Sequence, residues 1–240
     1  MPNNELNLLE DFFKALKIEY TNKMLERFKI YKDMVLDWNK KINLTAIVED
    51  TEFIKKHFID SLMCVTFNGM EHTKSIVDIG TGAGFPGIPL SIFYPDKNFL
   101  LVDSLNKRIK FLDEVKKELQ LENVQLLHAR AEDVGKNKAY REKYDMCVSR
   151  AVAKLNILSE YALPLVKLDG YFAAYKGLDI QQEINDSIKA IDLLGGKIVF
   201  CQDDFTKDKI LQHQIIYIKK IKKTPEKFPR KAGNPVKNPL

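Results

Sequence analysis

The first 67 residues carry apolar side chains at every third or fourth position, the spacing that places them on one face of a helix. Three runs with this spacing, at 8–16, 24–38 and 54–65, predict three amphipathic helices. Residues 39–48 include two lysines and two asparagines and predict a polar loop between the second and third helices. We therefore expect a helical extension over residues 1–70.

From residue 74 the pattern changes to short apolar runs that alternate with helical stretches. Seven runs predict strands, at 75–79, 98–103, 124–128, 144–149, 170–175, 197–201 and 214–218. The clearest helical stretches lie at 105–120, 154–167 and 178–194. This alternation predicts an α/β domain over residues 71–223, with a mostly parallel sheet and helices on both faces. The last two strands lack a helix between them, which predicts an antiparallel hairpin at one edge.

Residues 224–240 form a tail that is rich in proline and basic residues. Four prolines in this segment disfavour both helix and interior strand, so an extended tail is expected. Residues 219–240 hold eight Lys or Arg and one acid, although the net charge of the whole chain is only +5. Such a segment is typical either of a nucleic-acid contact or of a solubilising end, and the charge alone does not decide between them.

The composition places the chain among globular proteins, because 45% of its residues are hydrophobic and 30% are charged. No apolar run approaches the roughly 20 residues of a membrane span, and the polar N-terminus does not have the pattern of a secretory signal. The three cysteines are scattered, and the four histidines are far apart in the sequence. We expect a reduced cytoplasmic protein with no metal and no membrane contact.

A glycine-rich turn follows the first predicted strand. Gly80, Gly82 and Gly84 let the backbone turn sharply and approach a ligand closely, and a helix is expected to begin directly after them. Asp103 ends the second strand about 20 residues later, where an acidic side chain can bind ribose hydroxyls. A nucleoside cofactor is therefore predicted at this turn.

Two cofactors fit such a turn, a dinucleotide and S-adenosylmethionine. The spacing Gly82-x-Gly84-x-x-Gly87 matches the dinucleotide fingerprint. Against it, Asp78 precedes the first glycine by two residues, a placement typical of S-adenosylmethionine sites. Pro86 also stiffens the turn, and no separate catalytic domain follows the sheet. These features favour S-adenosylmethionine.

Unusual strings in a fixed order run along nearly the whole chain. The first are Trp-Asn-x-x-Ile-Asn-Leu-Thr at 38–45 and His-x-x-Asp-Ser-Leu at 57–62. They continue with Asp-Ile-Gly-Thr-Gly-Ala-Gly-Phe-Pro-Gly-Ile-Pro-Leu at 78–90 and Val-Asp-Ser-Leu-Asn-Lys-Arg-Ile-Lys-Phe-Leu at 102–112. Later strings are Ala-Glu at 131–132, Ser-Arg-Ala-Val-Ala at 149–153, Lys-Gly at 176–177, and Pro-Arg-Lys-x-Gly-x-Pro-x-Lys-x-Pro-Leu at 229–240. In these strings the chain resembles the bacterial family of 16S ribosomal RNA guanine-N7 methyltransferase G, formerly called glucose-inhibited division protein B.

The resemblance implies the class I S-adenosylmethionine-dependent methyltransferase fold, which is Rossmann-like with a seven-stranded, mostly parallel sheet. It implies methylation of N7 of the guanosine at position 527, in rRNA numbering, of 16S rRNA. The expected partner is 16S rRNA, the small ribosomal subunit or its assembly intermediate, and the chain is expected to be a monomer. Cofactor contacts of the family fall on Gly80, Phe85, Ala131, Glu132 and Arg150.

Methylation of guanine N7 needs no general base, because N7 has a lone pair and no proton. Such a site needs positioning groups. Arg150 ends the fourth strand, where it could pair with the cofactor carboxylate or stack on guanine. Lys176 ends the fifth strand and could contact RNA phosphate or O6, or be a surface lysine. Glu132 could accept hydrogen bonds from the adenine side, or be a first-turn acid of a helix. His57 is expected to be a core residue.

The remaining candidates are RNA contacts. They are the polar or basic residues of the 39–48 loop and of the tail: Lys40, Lys41, Asn43, Arg230, Lys231 and Lys237. Two other functions remain open on these residues, a small-molecule methyltransferase lidded by the N-terminal helices and an RNA-binding module without activity. An intact Asp78, glycine turn and Asp103 disfavour the inactive module.

Overall fold

A twisted sheet forms the centre of the fold. The computed structural model describes residues 6–150, 152–178, 180–203 and 213–240. The first five residues of the predicted extension, Ala151, and Asp179 of the third predicted helix lie outside these ranges. Within them the sheet has seven strands: β1 (Ser75–Ile79), β2 (Asn98–Asp103), β3 (Val124–His128), β4 (Tyr144–Arg150), β5 (Val166–Gly177), β6 (Gly196–Gln202) and β7 (His213–Lys220). The sequence predicted all seven.

The strand order is β3-β2-β1-β4-β5-β7-β6. The strands from β1 to β5 pair in parallel, whereas β7 pairs antiparallel with both β5 and β6. The predicted terminal hairpin is therefore confirmed, with β6 at the edge of the sheet. The order reverses between β1 and β4, and the carboxyl ends of strands at such a reversal flank a crevice where α/β proteins bind ligands.

Helices cover both faces of the sheet. The bounds are α1 (Asn7–Ala15), α2 (Asn22–Ile42), α3 (Asp50–Phe53), α4 (Asp60–Leu62), α5 (Gly87–Phe93), α6 (Asn106–Glu118), α7 (Ala131–Lys136), α8 (Leu155–Ala162), α9 (Gln181–Leu193) and α10 (Asn234–Lys237). A π-helical segment, Ile54–Ile59, joins α3 to α4, and two 3₁₀ turns, Met63–Thr66 and Asn68–Met70, lead towards β1. No helix in the described ranges has both the length and the apolar content needed to cross a bilayer.

The N-terminal helices share one hydrophobic core with one face of the sheet. Phe28, Tyr31 and Phe58 are fully buried in this core together with Ile76 of β1 and Leu101 of β2. Thr21 caps α2 by accepting a hydrogen bond from the Met24 amide at 3.1 Å. This packing holds the end of α3 and the whole of α4 close to the carboxyl edge of the sheet.

Two predicted boundaries were wrong. The helix expected over 154–167 ends at Ala162, and β5 already begins at Val166. Pro164 explains the early end, because proline disfavours helical backbone at its own and the preceding position. Helix α2 continues to Ile42, so Lys40 and Lys41 lie in its last turn and not in a loop.

The tail also differs from the expected extended chain. Its residues 234–237 form α10, a single helical turn with Pro235 at its start, where proline is tolerated. Phe228 is buried in the second hydrophobic core, between the sheet and the helices of its other face. The tail therefore packs on the domain.

Candidate active site

The glycine turn between β1 and α5 has the backbone that its sequence predicted. Gly80, Gly82 and Gly84 have φ values of 69°, 64° and 106°, which residues with a side chain rarely adopt. A Cβ at Gly80 would lie 2.5 Å from Cγ2 of Val152, and one at Gly84 would lie 2.7 Å from the hydroxyl of Tyr31. Glycine is thus required at positions 80 and 84 for two reasons: φ is positive there, and neighbouring side-chain atoms leave no room for a Cβ.

Asp78 lies beneath this turn and shapes it. Its Oδ2 accepts hydrogen bonds from the Thr81 hydroxyl at 2.6 Å and from the Gly87 amide at 3.0 Å. Burial raises the pKa of Asp78 to about 7. The side chain is not among the residues that line the neighbouring cleft, and its Oδ1 has no hydrogen-bond partner among the described residues. Asp78 therefore fixes the turn, and its expected contact with the cofactor stays a prediction.

The cleft above the turn has a volume of about 270 Å³. It brings together four residues that were predicted to bind a cofactor, namely Gly80, Asp103, Ala131 and Glu132. Val152, Tyr161, Gly233 and Val236 also line it, and none of these four had been predicted as a cofactor contact. The rest of the lining is formed by Ile79, Val102, Ser104, Ala129 and Arg130.

Asp103 is the central acid of the cleft, and its side chain is 2% exposed. Oδ2 accepts the Gly82 amide at 2.9 Å and Oδ1 accepts the Leu105 amide at 2.8 Å. Arg108 donates to Oδ2 at 3.3 Å. The carboxylate therefore links the end of β2 to the glycine turn, at the place where the sequence predicted a ribose contact.

Glu132 lies in the first turn of α7 and is also buried. Its Oε1 accepts a hydrogen bond from the Gly233 amide at 3.1 Å. A hydrogen bond with Glu132 and the burial of the phenol together raise the pKa of Tyr161 to about 12, burial being the larger cause. The Glu132 carboxylate, which was expected to accept hydrogen bonds from adenine, thus binds the tail at Gly233.

A second cavity, of about 440 Å³, opens at the ends of β4 and β5. Arg150 and Lys176 line it, as do His57, Glu183 and His213. A larger open groove of about 640 Å³ lies between α2 and α6, but it contains none of the residues predicted for cofactor or catalysis. The site is therefore formed by the two cavities at the carboxyl edge of the sheet.

Arg150 is fixed by groups from the N-terminal helices. Its Nη1 donates to Oδ2 of Asp60 at 2.5 Å and to the Lys56 carbonyl at 2.9 Å. Its Nη2 lies 3.3 Å from Nδ1 of His57. The guanidinium carbon is 5.0 Å from the ring centroid of Phe85, a cation–π contact. Arg150 and Phe85, both predicted as cofactor contacts, therefore touch each other.

Asp60 is fully buried and holds two partners. Oδ1 is 2.9 Å from Nδ1 of His213, and Oδ2 pairs with Arg150. Burial alone would raise the pKa of Asp60, but the hydrogen bond with His213 and the charge of Arg150 hold it below its usual range. Asp60 is therefore a buried carboxylate whose charge is balanced within the site.

His57 is neutral at pH 7, because burial and the neighbouring charge of Arg150 lower its pKa to about 3. Nδ1 then accepts from Arg150, and Nε2–H donates to the Thr45 hydroxyl at 2.8 Å. The ring stacks on Phe85 with centroids 4.4 Å apart. The expectation of a core histidine agrees with its burial, but His57 also orients the arginine.

Lys176 is not the surface lysine that the sequence left open, because its side chain is only 11% exposed, and its contact with RNA stays a prediction. Its Nζ donates to the Ala153 carbonyl at 2.6 Å and to Oε1 of Glu183 at 2.5 Å. The same oxygen of Glu183 accepts the Leu155 amide at 2.5 Å. Lys176 and Glu183 therefore hold the segment that follows β4, which separates the two cavities.

The candidate RNA contacts lie on two elements, the end of α2 and the tail. Lys40 and Lys41 are exposed, each 3.5 Å from a carboxylate oxygen of Asp37. Asn43 is the left-handed residue that ends α2. Lys231 and Lys237 are exposed on the tail. The other tail candidate, Arg230, is bound to Glu160 and is not available to a phosphate in this conformation.

Comparison with known proteins identifies the family. The model of the GidB family, described as rRNA small subunit methyltransferase G, matches residues 24–212. The chain belongs to this family. A protein named ribosomal RNA small subunit methyltransferase G from Clostridium tetani is 50% identical, over 98% of each chain. Proteins of the same name from Alkaliphilus metalliredigens (46%, covering 97% and 98%) and Desulforamulus reducens (48%, covering 99% of each chain) are similarly close.

Solved structures confirm the fold. TYW2 of M. jannaschii, solved in complex with AdoMet, aligns with a TM-score of 0.50 at 15% identity, over 86% of this chain and 80% of that chain. The 16S rRNA (adenine(1408)-N(1))-methyltransferase from Catenulisporales acidiphilia gives 0.51 at 15% identity, over 63% and 87%. The chain has the predicted class I methyltransferase fold, which here carries the family's N-terminal helices.

The residues of the smaller cleft fit S-adenosylmethionine, the cofactor of this family. Gly80 brings the backbone of the turn to the cleft, Asp103 presents a carboxylate at the end of β2, and Ala131 and Tyr161 offer apolar surface. These groups suit a ribose and an adenine. Asp103 would bind the ribose, and the glycine turn would lie along the amino-acid part.

We expect Asp103→Asn to weaken binding of S-adenosylhomocysteine, the product of the cofactor, by about 1.5–3 kcal/mol, or roughly ten- to a hundredfold in Kd. The amide loses the charge that strengthens a hydrogen bond to ribose. Titration calorimetry without RNA measures this effect.

Asp145→Asn is the matched control. Asp145 also accepts backbone amides, those of Lys74 and Ser75, but at the start of β4 and therefore at the opposite edge of the sheet. It should change stability without changing the Kd. Equal Kd values for wild type and Asp103→Asn would show that Asp103 does not bind the ligand.

His57→Gln should flatten the loss of stability in acid. In the folded chain the pKa of His57 is about 3, against 6.5 in the unfolded chain. Between these values the unfolded state binds more protons, so stability falls as the pH falls. Wild type should lose about 2–3 kcal/mol more than the variant between pH 6.5 and 4.5, measured by urea unfolding.

Carboxylates titrate in both proteins and cancel in this difference. His72→Gln, at an exposed histidine, controls for the loss of one imidazole. If the stability curves of wild type and His57→Gln ran parallel across this range, a neutral His57 would be excluded.

Proposed function

We propose that this protein transfers the methyl group of S-adenosylmethionine to N7 of a guanosine in 16S rRNA, within the small ribosomal subunit or its assembly intermediate. The observation that carries the proposal is the arrangement of two adjoining cavities. Val152 lines the cofactor cleft, and Arg150, two residues earlier, lines the second cavity. A base in the second cavity would therefore lie next to the reactive end of the cofactor. Because small-subunit rRNA is the proposed substrate, a cytoplasmic location is part of the same proposal.

S-adenosylmethionine would supply a methyl group bound to a sulfonium, whose carbon the N7 lone pair would attack while the C–S electron pair stays on sulfur and the positive charge passes to the base. No proton is removed, so the protein has to orient the base and exclude water. The residues found here suit that task, because His57 is held neutral and Glu183 is paired with Lys176.

Arg150 would bind the base by its guanidinium face. Its edge is already occupied by Asp60, the Lys56 carbonyl and His57, and one face lies against Phe85. Donation to the N7 edge of guanine would also block the atom that reacts. Stacking on the opposite face leaves N7 free, which is why we assign Arg150 a stacking role.

Lys176 would act as a positioning residue. Together with Glu183 it ties down Ala153 and Leu155, and so fixes the segment between the cofactor cleft and the base cavity. Movement of this segment would change the distance between donor and acceptor, to which methyl transfer is sensitive. The role proposed for Lys176 is therefore indirect, through the backbone that follows β4.

Exposed basic groups would bind the RNA backbone. Lys40, Lys41 and Asn43 lie together at the end of α2, and Lys41 is 5.6 Å from the ring centroid of Trp38. Such a basic and aromatic cluster is suited to a single-stranded segment. Lys231 and Lys237 remain candidates on the tail.

Replacing the target guanosine by 7-deazaguanosine should abolish methylation, because carbon at position 7 has no lone pair. The measurement is transfer of a labelled methyl group to small-subunit rRNA that carries this single substitution, after the methylated nucleotide has been located by mass spectrometry.

RNA with inosine at the same position is the control, since inosine keeps N7 and lacks only the 2-amino group. It should remain a substrate. Methylation of the 7-deazaguanosine RNA would assign the reaction to another atom, and methylation of small metabolites in place of either RNA would overturn the proposed substrate class.

A further inference from the structure

The tail, residues 224–240, is anchored along its length to the methyltransferase domain. Near its start Arg141 donates to the carbonyls of Thr224, Pro225 and Phe228 at 2.7, 3.2 and 2.7 Å. At its end the Asn156 side chain donates to the Leu240 carbonyl at 3.3 Å. Both ends of the tail are therefore fixed on the face of the sheet that α7 and α8 cover.

The strongest anchor lies in the middle of the tail. Glu160 of α8 is fully buried, and its carboxylate accepts the Arg230 amide at 2.7 Å, Nε at 2.9 Å and Nη2 at 2.6 Å. Nη1 donates to the Asn238 carbonyl at 2.8 Å. A buried carboxylate needs such compensation, and removal of one partner from a buried pair is strongly destabilising. Arg230 therefore holds the middle of the tail on α8.

Beyond this anchor the tail reaches the cofactor cleft. Gly233, with φ of 82°, turns the chain and donates its amide to Glu132. Gly233 and Val236 then line the cleft together with Asp103, Ala131 and Tyr161. Val236 is 59% exposed although it is apolar. A ligand in the cleft would cover this side chain.

We infer that the tail is a wall of the cofactor site and that Val236 of α10 packs against the adenosyl part of the cofactor. The inference rests on the proposed function for the identity of that cofactor. The part of the cleft that the tail borders is formed by the ends of β2 and β3, where Asp103 and Ala131 lie, and not by the glycine turn alone. The adenosyl part is thus the portion that the tail reaches.

The charges of the cleft favour this occupant over an RNA strand. Asp103 and Glu132 place two carboxylates beside Gly233 and Val236, Arg130 also lines the cleft, and Arg108 is paired with Asp103. These charges balance, so the cleft has no surplus of cations for a phosphate backbone, whereas ribose hydroxyls and a flat, uncharged base suit it. The exposed Lys231 and Lys237 can still meet RNA from the outer side of the tail.

The test is the affinity of Val236→Ser for S-adenosylhomocysteine and for adenosine, measured by calorimetry without RNA. We expect Kd to rise about fivefold for both ligands, because the lost contact is with the part they share. Val199→Ser is the matched control, since Val199 is also an exposed valine but lies on β6 at the edge of the sheet. Val199 does not line the cleft, so the Kd of this variant should stay within twofold of wild type.

A chain that ends at Lys223 gives the larger effect, a loss of at least tenfold in affinity, provided that circular dichroism shows a folded protein. If this chain fails to fold, the Val236→Ser result decides alone.

Unchanged Kd values for Val236→Ser and for the folded truncated chain would overturn the inference. Weakened rRNA binding at unchanged Kd for the cofactor product would make the tail an RNA contact instead. Wild type that binds neither ligand would contradict the proposed cofactor itself, so the two failures are distinguishable.

Discussion

The ion pair between Asp60 and Arg150 is the interaction on which the second cavity, the proposed site of the base, depends. It joins a carboxylate of the N-terminal helices to the last residue of β4, 90 positions away in sequence. Each charge is largely removed from water, with side-chain exposures of 1% and 11%. Neither charge would be stable in this buried position without the other. The pair therefore couples the docking of the N-terminal helices to the orientation of the guanidinium.

The other contacts of this half follow from that pair. A fixed Arg150 lies over Phe85, adds to the burial that lowers the pKa of His57, and lines the second cavity. Phe85 is itself part of the glycine turn, so it links this turn to Arg150. The N-terminal helices thus do more than cover the sheet, because they supply the groups that hold the arginine. Under the proposed function, an added segment would adapt a fold common to many methyltransferases to its substrate.

Local signals in the sequence were sufficient for the sheet and the glycine turn. Alternating apolar runs marked all seven strands, and the spacing of Gly80, Gly82 and Gly84 before Asp103 marked the cofactor cleft. Pairings between distant residues could not be predicted in this way. The partner of Arg150 is 90 residues away and that of Arg230 is 70 residues away. Proline content suggested an extended tail, yet the buried Glu160 holds it in place. Pro164 was a local signal that should have ended the predicted helix earlier.

The most direct test of this account is a double-mutant cycle on Asp60 and Arg150, with Asp60→Asn and Arg150→Lys as the single changes. The quantity measured is the single-turnover rate of methyl transfer to small-subunit rRNA at saturating cofactor, with folding of each variant checked by thermal unfolding. If Asp60 acts by holding Arg150, each single variant should be slow and the double variant should be no slower than the slower single one. Rates whose losses multiply in the double variant, or a wild-type rate for Asp60→Asn, would contradict the account.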